Sequence, residues 1–464
     1  MTHRGTYPYI ATSNEYGSVA ETLVQMAGGK DVDVKRNSLY GLAAFVLPSV
    51  TILVAYPVLA HTLGTERFGV YFLATSVSGI VVLLDVGIYS ATTKLVAEDL
   101  ASGNRKAAAD VIITSSVFYS GLGTLGMVLM WLLAPWLVSL FSIERTMQME
   151  AILVFRLAAI QFAIFLLITN MVSIFKGMQR FDQSTLVLAS LSILTYGGAM
   201  AGVIVVGADL VGVTFISLSA NLVVLLLCIF RTLSLCHDRG VILKLARPTL
   251  SAFRRMFSFG VAISAHGVAT LFFLQGQRVL VGALISPAAV TIYVLVVTAV
   301  SKAHAVINSV TEVMFPLSSA MVTPIHLRRV YLRMLLGSGV SAALILGPLA
   351  LFAEQILTVW VGADLAHKAA PLVPLFAVGV FFMALSPAPF HVVNGTGRPW
   401  FNVLFDVCKV LIAASVLVVA ALEGITLVGF AWAFAIANIV TAVAFQASVE
   451  ILIWRRGLLA SKPS

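Results

Sequence analysis

Residues 111–141 read VIITSSVFYSGLGTLGMVLMWLLAPWLVSLF and contain no charged side chain. A helix needs about 20 mostly apolar residues to cross the hydrocarbon core of a membrane, and this run exceeds that length. The whole chain of 464 residues has the same character, with 60% apolar and 11% charged residues, against roughly 25% charged residues in a soluble domain. The composition excludes a soluble protein and predicts an all-α polytopic membrane protein. Because the apolar runs are continuous, they also exclude an outer-membrane β-barrel.

Twelve apolar runs are long enough to be membrane spans. They are residues 39–63, 68–93, 111–141, 151–175, 185–206, 210–235, 253–284, 288–315, 331–352, 370–393, 401–422 and 425–454. The third, seventh and twelfth runs are longer than a straight crossing requires, which indicates tilted or kinked helices. The sequence therefore predicts about twelve transmembrane helices.

The positions of Lys and Arg predict the orientation, because loops on the cytoplasmic side of a membrane retain positive charge. With the N-terminus placed inside, 22 of the 29 basic residues fall in inside segments and four fall within spans. The outside loops hold only Arg67, Arg145 and Lys368. This asymmetry predicts that both termini are cytoplasmic. The net charge of +9 reflects this topology and does not indicate a nucleic-acid partner.

Two pairs of similar segments indicate an internal repeat. LGTERFGVY at 63–71 and ISPAAVTIY at 285–293 follow the first and seventh spans, and KGMQR at 176–180 and NGTGR at 394–398 follow the fourth and tenth. An even number of spans in each half gives two parallel repeats, related by an axis along the membrane normal. We expect a cavity between these halves. The predicted divisions are a cytoplasmic tail 1–38, a six-helix half 39–235, a cytoplasmic linker 236–252, a six-helix half 253–454 and a tail 455–464.

An ordered series of segments resembles a known family. The series is LAHTLGTERFGVYFLATSVSGIVVLLDVGIYSATTKLVAE at 59–98, FKGMQRFD at 175–182, QRVLVGALISPAAVTIYV at 277–294, EVMFPLSSAM at 312–321, VWVG at 359–362 and NGTGRP at 394–399. These segments resemble the polysaccharide transporter family, the O-antigen and exopolysaccharide flippases of the multidrug, oligosaccharidyl-lipid and polysaccharide (MOP) exporter superfamily. The sequence departs from the family at Gln277, where an Asp often precedes the Arg.

The resemblance implies a fold, a function and partners. The implied fold is that of the MATE-like flippases, with a central cavity. The implied function is to carry an undecaprenyl-pyrophosphate-linked oligosaccharide across the bacterial inner membrane by alternating access, for lipopolysaccharide O-antigen or exopolysaccharide biosynthesis. The partners would be this lipid-linked oligosaccharide, membrane lipids, and polysaccharide polymerase and export proteins. No bond is broken in such a transfer, so we expect neither enzyme activity nor a cofactor or metal.

Lys302 lies too deep in the eighth span to reach either membrane surface easily. It is 14 residues beyond Ala288, about 21 Å into a hydrocarbon core of about 30 Å. At 100° per residue, Asn308, Ser309 and Glu312 fall on the same face of the helix. This polar stripe indicates either the lining of a substrate cavity or a Lys302 that pairs with a neighbouring carboxylate.

Three other cations within the spans are candidates for substrate binding. Arg278 lies near the outer end of the seventh span, where it either binds the pyrophosphate or reaches the headgroups of the lipids. Arg156 lies near the outer end of the fourth span, where an interfacial anchor is the alternative. Lys409 follows Asp406 by three residues on one helix face, so a local ion pair is its alternative.

Asp85, Glu312 and His266 are candidates for ion coupling or for pairing between helices. Ionisable groups at membrane depth usually face a cavity or a partner. Asp85 lies deep in the second span, Glu312 lies on the polar stripe of the eighth, and His266 lies in the middle of the seventh. Each could exchange a proton during transport, and each could instead serve packing within the bundle.

Other functions remain open. A cation-coupled multidrug exporter of the same superfamily is expected to carry a carboxylate in its first helix, and residues 39–63 contain none. A lipid II flippase is expected to have two further helices and a cation in the first. A membrane-embedded polysaccharide polymerase or ligase needs a large outer loop with catalytic side chains, whereas the longest outer loop here is 353–369.

Overall fold

The computed structural model of the protein describes the backbone of residues 34–81, 85, 87–312, 324–395, 400–422 and 424–460. Within these ranges some side chains lie outside the description, among them those of 34–42, 261–272 and 305–312. All regular elements of the described backbone are helical, which confirms the all-α prediction.

Seventeen α-helices make up the described part of the fold. They are α1 Val34–Leu63, α2 Thr65–Val81, α3 Ile88–Ala101, α4 Arg105–Leu140, α5 Gln148–Gly177, α6 Phe181–Ser192, α7 Gly198–Val206, α8 Leu210–Asp238, α9 Leu250–Leu284, α10 Pro287–Glu312, α11 Pro324–Leu351, α12 Ala353–Val361, α13 Ala363–Ala369, α14 Val373–Ala384, α15 Pro387–Gly395, α16 Trp400–Leu422 and α17 Leu427–Ala460.

Nine helical segments among the described residues are long and apolar enough to cross a membrane, and Pro287–Lys302 is a shorter apolar helix. Many of their large apolar side chains are exposed, for example Leu132 and Trp136 of α4. Such a surface suits hydrocarbon and not water. The protein is therefore a multi-pass integral membrane protein.

Side chains fix several helix starts. Asn104, Asp209 and Thr249 each accept a hydrogen bond from the backbone N–H three residues further on, at the starts of α4, α8 and α9. Such N-caps satisfy backbone donors that have no partner within the helix. The helices therefore begin where polar residues precede the apolar runs.

The second predicted span is not one continuous helix. α2 is described as far as Val81 and α3 begins at Ile88, and the backbone of Asp85 between them has 3-10 geometry. Gly87 has a φ of 72°, a left-handed conformation that suits glycine and ends the regular hydrogen-bond ladder. Asp85 therefore lies at a break in a membrane-crossing segment.

Two further predicted spans contain irregular turns. The fifth includes the π-helical turn Ile193–Gly197 between α6 and α7. The tenth is divided between α14 and α15, with Pro387 at the start of the second piece. Proline lacks the N–H that a continuous helix needs, which accounts for the division in the tenth span.

One end of the bundle is closed by contacts between the N-terminal and C-terminal parts of the chain. We call the end that holds Leu63, Leu284 and Pro287 the distal end, and the opposite end the proximal end. At the distal end Thr291 donates to the carbonyl of Thr65 at 2.7 Å. A Cβ on Gly69 would overlap the carbonyl oxygen of Pro287, so α2 and α10 approach each other as closely as glycine allows.

The segment predicted as an outer loop, 353–369, contains the short helices α12 and α13. It contacts α1 through two hydrogen bonds. Trp360 Nε1 donates to the carbonyl of Leu53 at 2.6 Å, and His61 Nε2 lies 2.6 Å from the carbonyl of Val361. These contacts connect residues about 300 positions apart in the chain, so they join its two parts.

α9 contacts both parts of the chain. Near the proximal end Arg255 pairs with Asp99 of α3 at 3.1 Å, and Lys94 lies 4.1 Å from the ring centroid of Phe259. Towards the distal end Phe273 stacks on Phe434 of α17, with ring centroids 5.7 Å apart. α9 therefore runs from the helices before the linker to those after it.

Candidate functional site

Lys302 of α10 lies where α10 meets α1. Its Nζ donates to the Oγ of Ser49 at 3.1 Å, and Ser49 is buried. Lys302 is 15 residues beyond Pro287, about 22 Å from the distal end of α10 at 1.5 Å per residue. The structure thus places a half-buried cation deep in the bundle, between the N-terminal and C-terminal parts of the chain.

Arg278 lies in a second polar group, nearer the distal end. Its guanidinium donates to Gln275 Oε1 at 3.3 Å, one turn earlier on α9. The hydroxyl of Tyr293 on α10 donates to Gln277 Oε1 at 2.7 Å. The described hydrogen-bond partners of Arg278 and Gln277 are therefore uncharged polar groups.

The sequence predicts no role for Tyr56, Tyr196 or Tyr293. Tyr56 of α1 lies edge-on to Tyr196, with ring centroids 5.7 Å apart, and edge-on to Phe72 at 5.0 Å. Tyr196 belongs to the π-helical turn between α6 and α7, and a turn of this kind often marks a functional position. Spacing along the chain gives no signal for this group, because its members come from α1, the π-helical turn and α10.

Lys409 forms the local ion pair that its spacing predicts. Its Nζ lies 3.5 Å from Asp406 Oδ1, and both side chains are largely buried. Lys409 also lies 5.9 Å from the ring centroid of Phe273 on α9. Lys409 is therefore a second buried cation, beside α9 and paired with a carboxylate.

Arg156 lies apart from these groups. It contacts Trp131 of α4 at 5.3 Å from the ring centroid. Trp131 is partly exposed on the apolar surface of α4. This contact favours the interfacial anchor for Arg156, and its role in substrate binding stays a prediction.

Asp85 accepts a hydrogen bond from the hydroxyl of Tyr119 on α4. Among the residues whose side chains the structure describes, no cation lies within ion-pair distance of Asp85. The described side-chain partner of this acid is therefore a neutral hydroxyl.

Four candidates lie outside the described side chains. They are Asn308, Ser309 and Glu312 on the predicted polar stripe, and His266 in α9. In the part of the chain that the structure describes, no cluster of three or more His, Cys, Asp or Glu residues could hold a metal ion.

Comparison with known proteins gives a family and a fold. The family model described as "Polysaccharide biosynthesis protein" matches residues 34–322. A Shigella flexneri protein that bears the name of an O-antigen transporter is 22% identical over 416 residues, which cover 89% of this chain and 97% of that protein. The resemblance to the polysaccharide transporter family is therefore confirmed.

Solved structures share the fold at low identity. A multidrug-resistance MATE transporter of the MOP superfamily in its inward-facing conformation has a TM-score of 0.75 at 14% identity, over 89% of this chain and 98% of that one. An outward-facing MATE transporter has a TM-score of 0.58 at 16% identity, over 89% and 96%. Because the family model covers well over half of its length, this chain belongs to the polysaccharide biosynthesis protein family, and it has the fold of MOP superfamily transporters.

Proposed function

We propose that this protein is a flippase for an undecaprenyl-diphosphate-linked oligosaccharide repeat unit. It would move this substrate from the cytoplasmic to the periplasmic leaflet of the bacterial inner membrane, for O-antigen or exopolysaccharide biosynthesis. The family of the chain and the O-antigen transporter name of its Shigella relative support this substrate class. The transfer forms and breaks no covalent bond, so the protein acts as a carrier and not as an enzyme.

The observation that carries this proposal is the position of Lys302. A cation at membrane depth is costly and usually faces a cavity or a partner. Lys302 contacts α1 through the uncharged Ser49, at the junction of the two parts of the chain. An anionic diphosphate that enters this junction would gain a charge-assisted hydrogen bond from the ammonium group. We therefore assign Lys302 to binding of the headgroup.

The predicted topology orients the carrier. We propose that the distal end faces the periplasm and that both termini and the linker 236–252 face the cytoplasm, because most Lys and Arg residues lie on that side. The helices within residues 39–235 and those within residues 253–454 would then form two parallel halves. A closed distal end corresponds to a carrier that is open towards the cytoplasm. In support of this assignment, the TM-score is higher against the inward-facing MATE transporter than against the outward-facing one.

In this arrangement, we propose that the proximal and distal ends of the bundle open in turn to give alternating access to the substrate. The two halves would rock about the junction that contains Lys302, so that the proximal end closes while the distal contacts of Gly69, Thr291 and Trp360 separate. The lipid tail would stay in the membrane while the diphosphate and the glycan cross between the halves.

A cation-coupled multidrug exporter is the second candidate, because solved structures with this fold include multidrug transporters. The absence of a carboxylate from residues 39–63 argues against it. A polymerase or ligase is disfavoured because 353–369 forms two short helices, one of which is hydrogen-bonded to α1.

The test uses a strain that lacks this gene. Such a strain should accumulate lipid-linked oligosaccharide in the cytoplasmic leaflet of the inner membrane. Purified protein in vesicles should move this lipid-linked oligosaccharide from one leaflet to the other. Drug efflux without flipping would support the multidrug exporter instead. Accumulation of translocated, unpolymerised repeat units would support a polymerase.

A further inference from the structure

The described surroundings of Arg278 provide no acidic partner for its positive charge. Its hydrogen-bonded neighbour, Gln275, is a neutral amide. Among the side chains that the structure describes, no carboxylate lies within salt-bridge distance of Arg278. The Nε of Arg278 is buried and has no hydrogen-bond partner among the described residues. An arginine side chain only donates hydrogen bonds, so the partner that it lacks is an acceptor.

Gln277 has an unused hydrogen-bonding group at the same place. It is only 4% exposed, and Tyr293 occupies one end of its amide while the other end has no partner among the described residues. A buried polar group left unpaired loses the hydrogen bonds that water would give it, and this loss is energetically unfavourable. Two unpaired groups on neighbouring residues indicate a site that is satisfied in another state of the protein.

Arg278 and Lys302 lie at different depths. Arg278 is six residues before Leu284, about 9 Å from the distal end of α9, whereas Lys302 is about 22 Å from the distal end of α10. The separation along the bundle is therefore about 13 Å.

The surroundings of Arg278 belong to the closed distal end. Gln275, the hydrogen-bonded neighbour of Arg278, faces the N-terminal part of the chain. Gly79 of α2 faces Gln275, where a Cβ would lie 2.8 Å from the amide nitrogen. Separation of the distal contacts would withdraw α2 from α9 and uncover Arg278.

We propose that Arg278 and Gln277 form a second diphosphate-binding site, which is covered in the present state and filled when the distal end opens. This inference rests on the proposed function. The anionic headgroup would leave Lys302 as the proximal end closes and bind Arg278 as the distal end opens. The guanidinium can hold two phosphate oxygens at once, and the amide of Gln277 supplies a further hydrogen bond. The two cations thus act in sequence along the bundle.

The experiment compares binding in two conformations of the full-length protein in nanodiscs. The probe is radiolabelled undecaprenyl diphosphate, and inorganic pyrophosphate serves as competitor. Gly69→Trp keeps the distal end open, because even a Cβ at this position overlaps Pro287. Labelling of Thr65→Cys with an impermeant thiol reagent confirms the opening. A second route to the open state is Trp360→Phe combined with His61→Phe, which removes both hydrogen bonds between α1 and α12.

We expect binding of the lipid to depend mainly on Lys302 in the parent and mainly on Arg278 in the open state. Arg278→Gln should weaken binding at least tenfold more in the open Gly69→Trp protein than in the parent. Lys302→Ala should weaken binding more in the parent than in the open protein. Gln277→Glu places a carboxylate beside Arg278 with almost no change of shape, and it should reproduce the effect of Arg278→Gln.

Other outcomes overturn the proposal in distinguishable ways. If Arg278→Gln has the same effect in both states while Lys302→Ala weakens binding, there is no second site, but the proposed function stands. If neither substitution affects binding of the lipid, the proposed function fails as well. If inorganic pyrophosphate binds to the open state as tightly as the lipid, the site recognises free phosphate, and transfer of a lipid headgroup is refuted.

Discussion

Tyr119 of α4 donates a hydrogen bond to the carboxylate of Asp85, which lies at the break between α2 and α3. Tyr119 is fully buried. An acid held by a hydroxyl can gain or lose a proton without breaking an ion pair. This property suits a residue that couples transport to a gradient, and it makes Asp85 the strongest such candidate among the described side chains.

We predict that Asp85→Asn leaves binding of the lipid-linked substrate intact and removes the dependence of flipping on a proton gradient. The amide keeps the shape of the side chain but cannot carry the charge change. The measurement is the flipping rate in reconstituted vesicles with and without an imposed gradient. The ratio of the two rates should fall to unity in the variant.

Tyr119→Phe is the matched control, because it keeps the packed ring and the carboxylate. This variant should keep a response to the gradient. If flipping by Asp85→Asn responds to the gradient like flipping by the parent, Asp85 serves packing at the helix break and not coupling. Glu312→Gln would then be the next variant to test.

Lys302→Ala should lower the export of lipid-linked oligosaccharide at least tenfold while the protein reaches the membrane at its normal level. The lost charge-assisted hydrogen bond is worth about 1.5–3 kcal/mol, and 1.4 kcal/mol corresponds to a factor of ten. Lys302→Arg should keep part of the activity. Loss of the protein from the membrane would show instead that Lys302 holds α10 against α1.

The buried pair of Asp406 and Lys409 should behave as a structural unit. Asp406→Leu leaves a buried ammonium group without its carboxylate, and the cost of such a change is about 3–5 kcal/mol. We expect a lower melting temperature in detergent. The double variant Asp406→Leu with Lys409→Met should recover most of that loss. Equal melting temperatures for the single variant and the parent would show that the pair contributes nothing to stability.

The linker 236–252 should face the cytoplasm. Reporter fusions inserted there should be active only in the cytoplasm, because the basic residues of the chain concentrate on that side. A fusion within 353–369 provides the control and should be active in the periplasm. Periplasmic activity from the linker would contradict both the topology and the two-half arrangement.

Composition and apolar run length predict the helical architecture, because the absence of water in a membrane forces each crossing segment to satisfy its own backbone. They do not predict the break at Asp85 or the π-helical turn at Tyr196, because an apolar run has the same composition in either geometry. These irregular turns depend on Gly87 and on packing between helices.

The same distinction holds for the candidate site. The pair of Asp406 and Lys409 follows from a spacing of three on one helix. The contacts of Lys302 with Ser49 and of Asp85 with Tyr119 join different helices, 253 and 34 residues apart in the chain. Only the packing of the helices determines which groups meet there, so the sequence identifies the candidates but not their partners.

The double attachment of α9 affects the kinetics of the carrier. Arg255 ties its proximal turns to α3, and Phe273 ties its distal turns to α17. If the two halves rotate against each other, α9 must bend between these positions or give up one of the two attachments. Either event adds to the activation barrier of the conformational change. The strength of the contact between Arg255 and Asp99 would then set the turnover rate, although neither residue need touch the substrate.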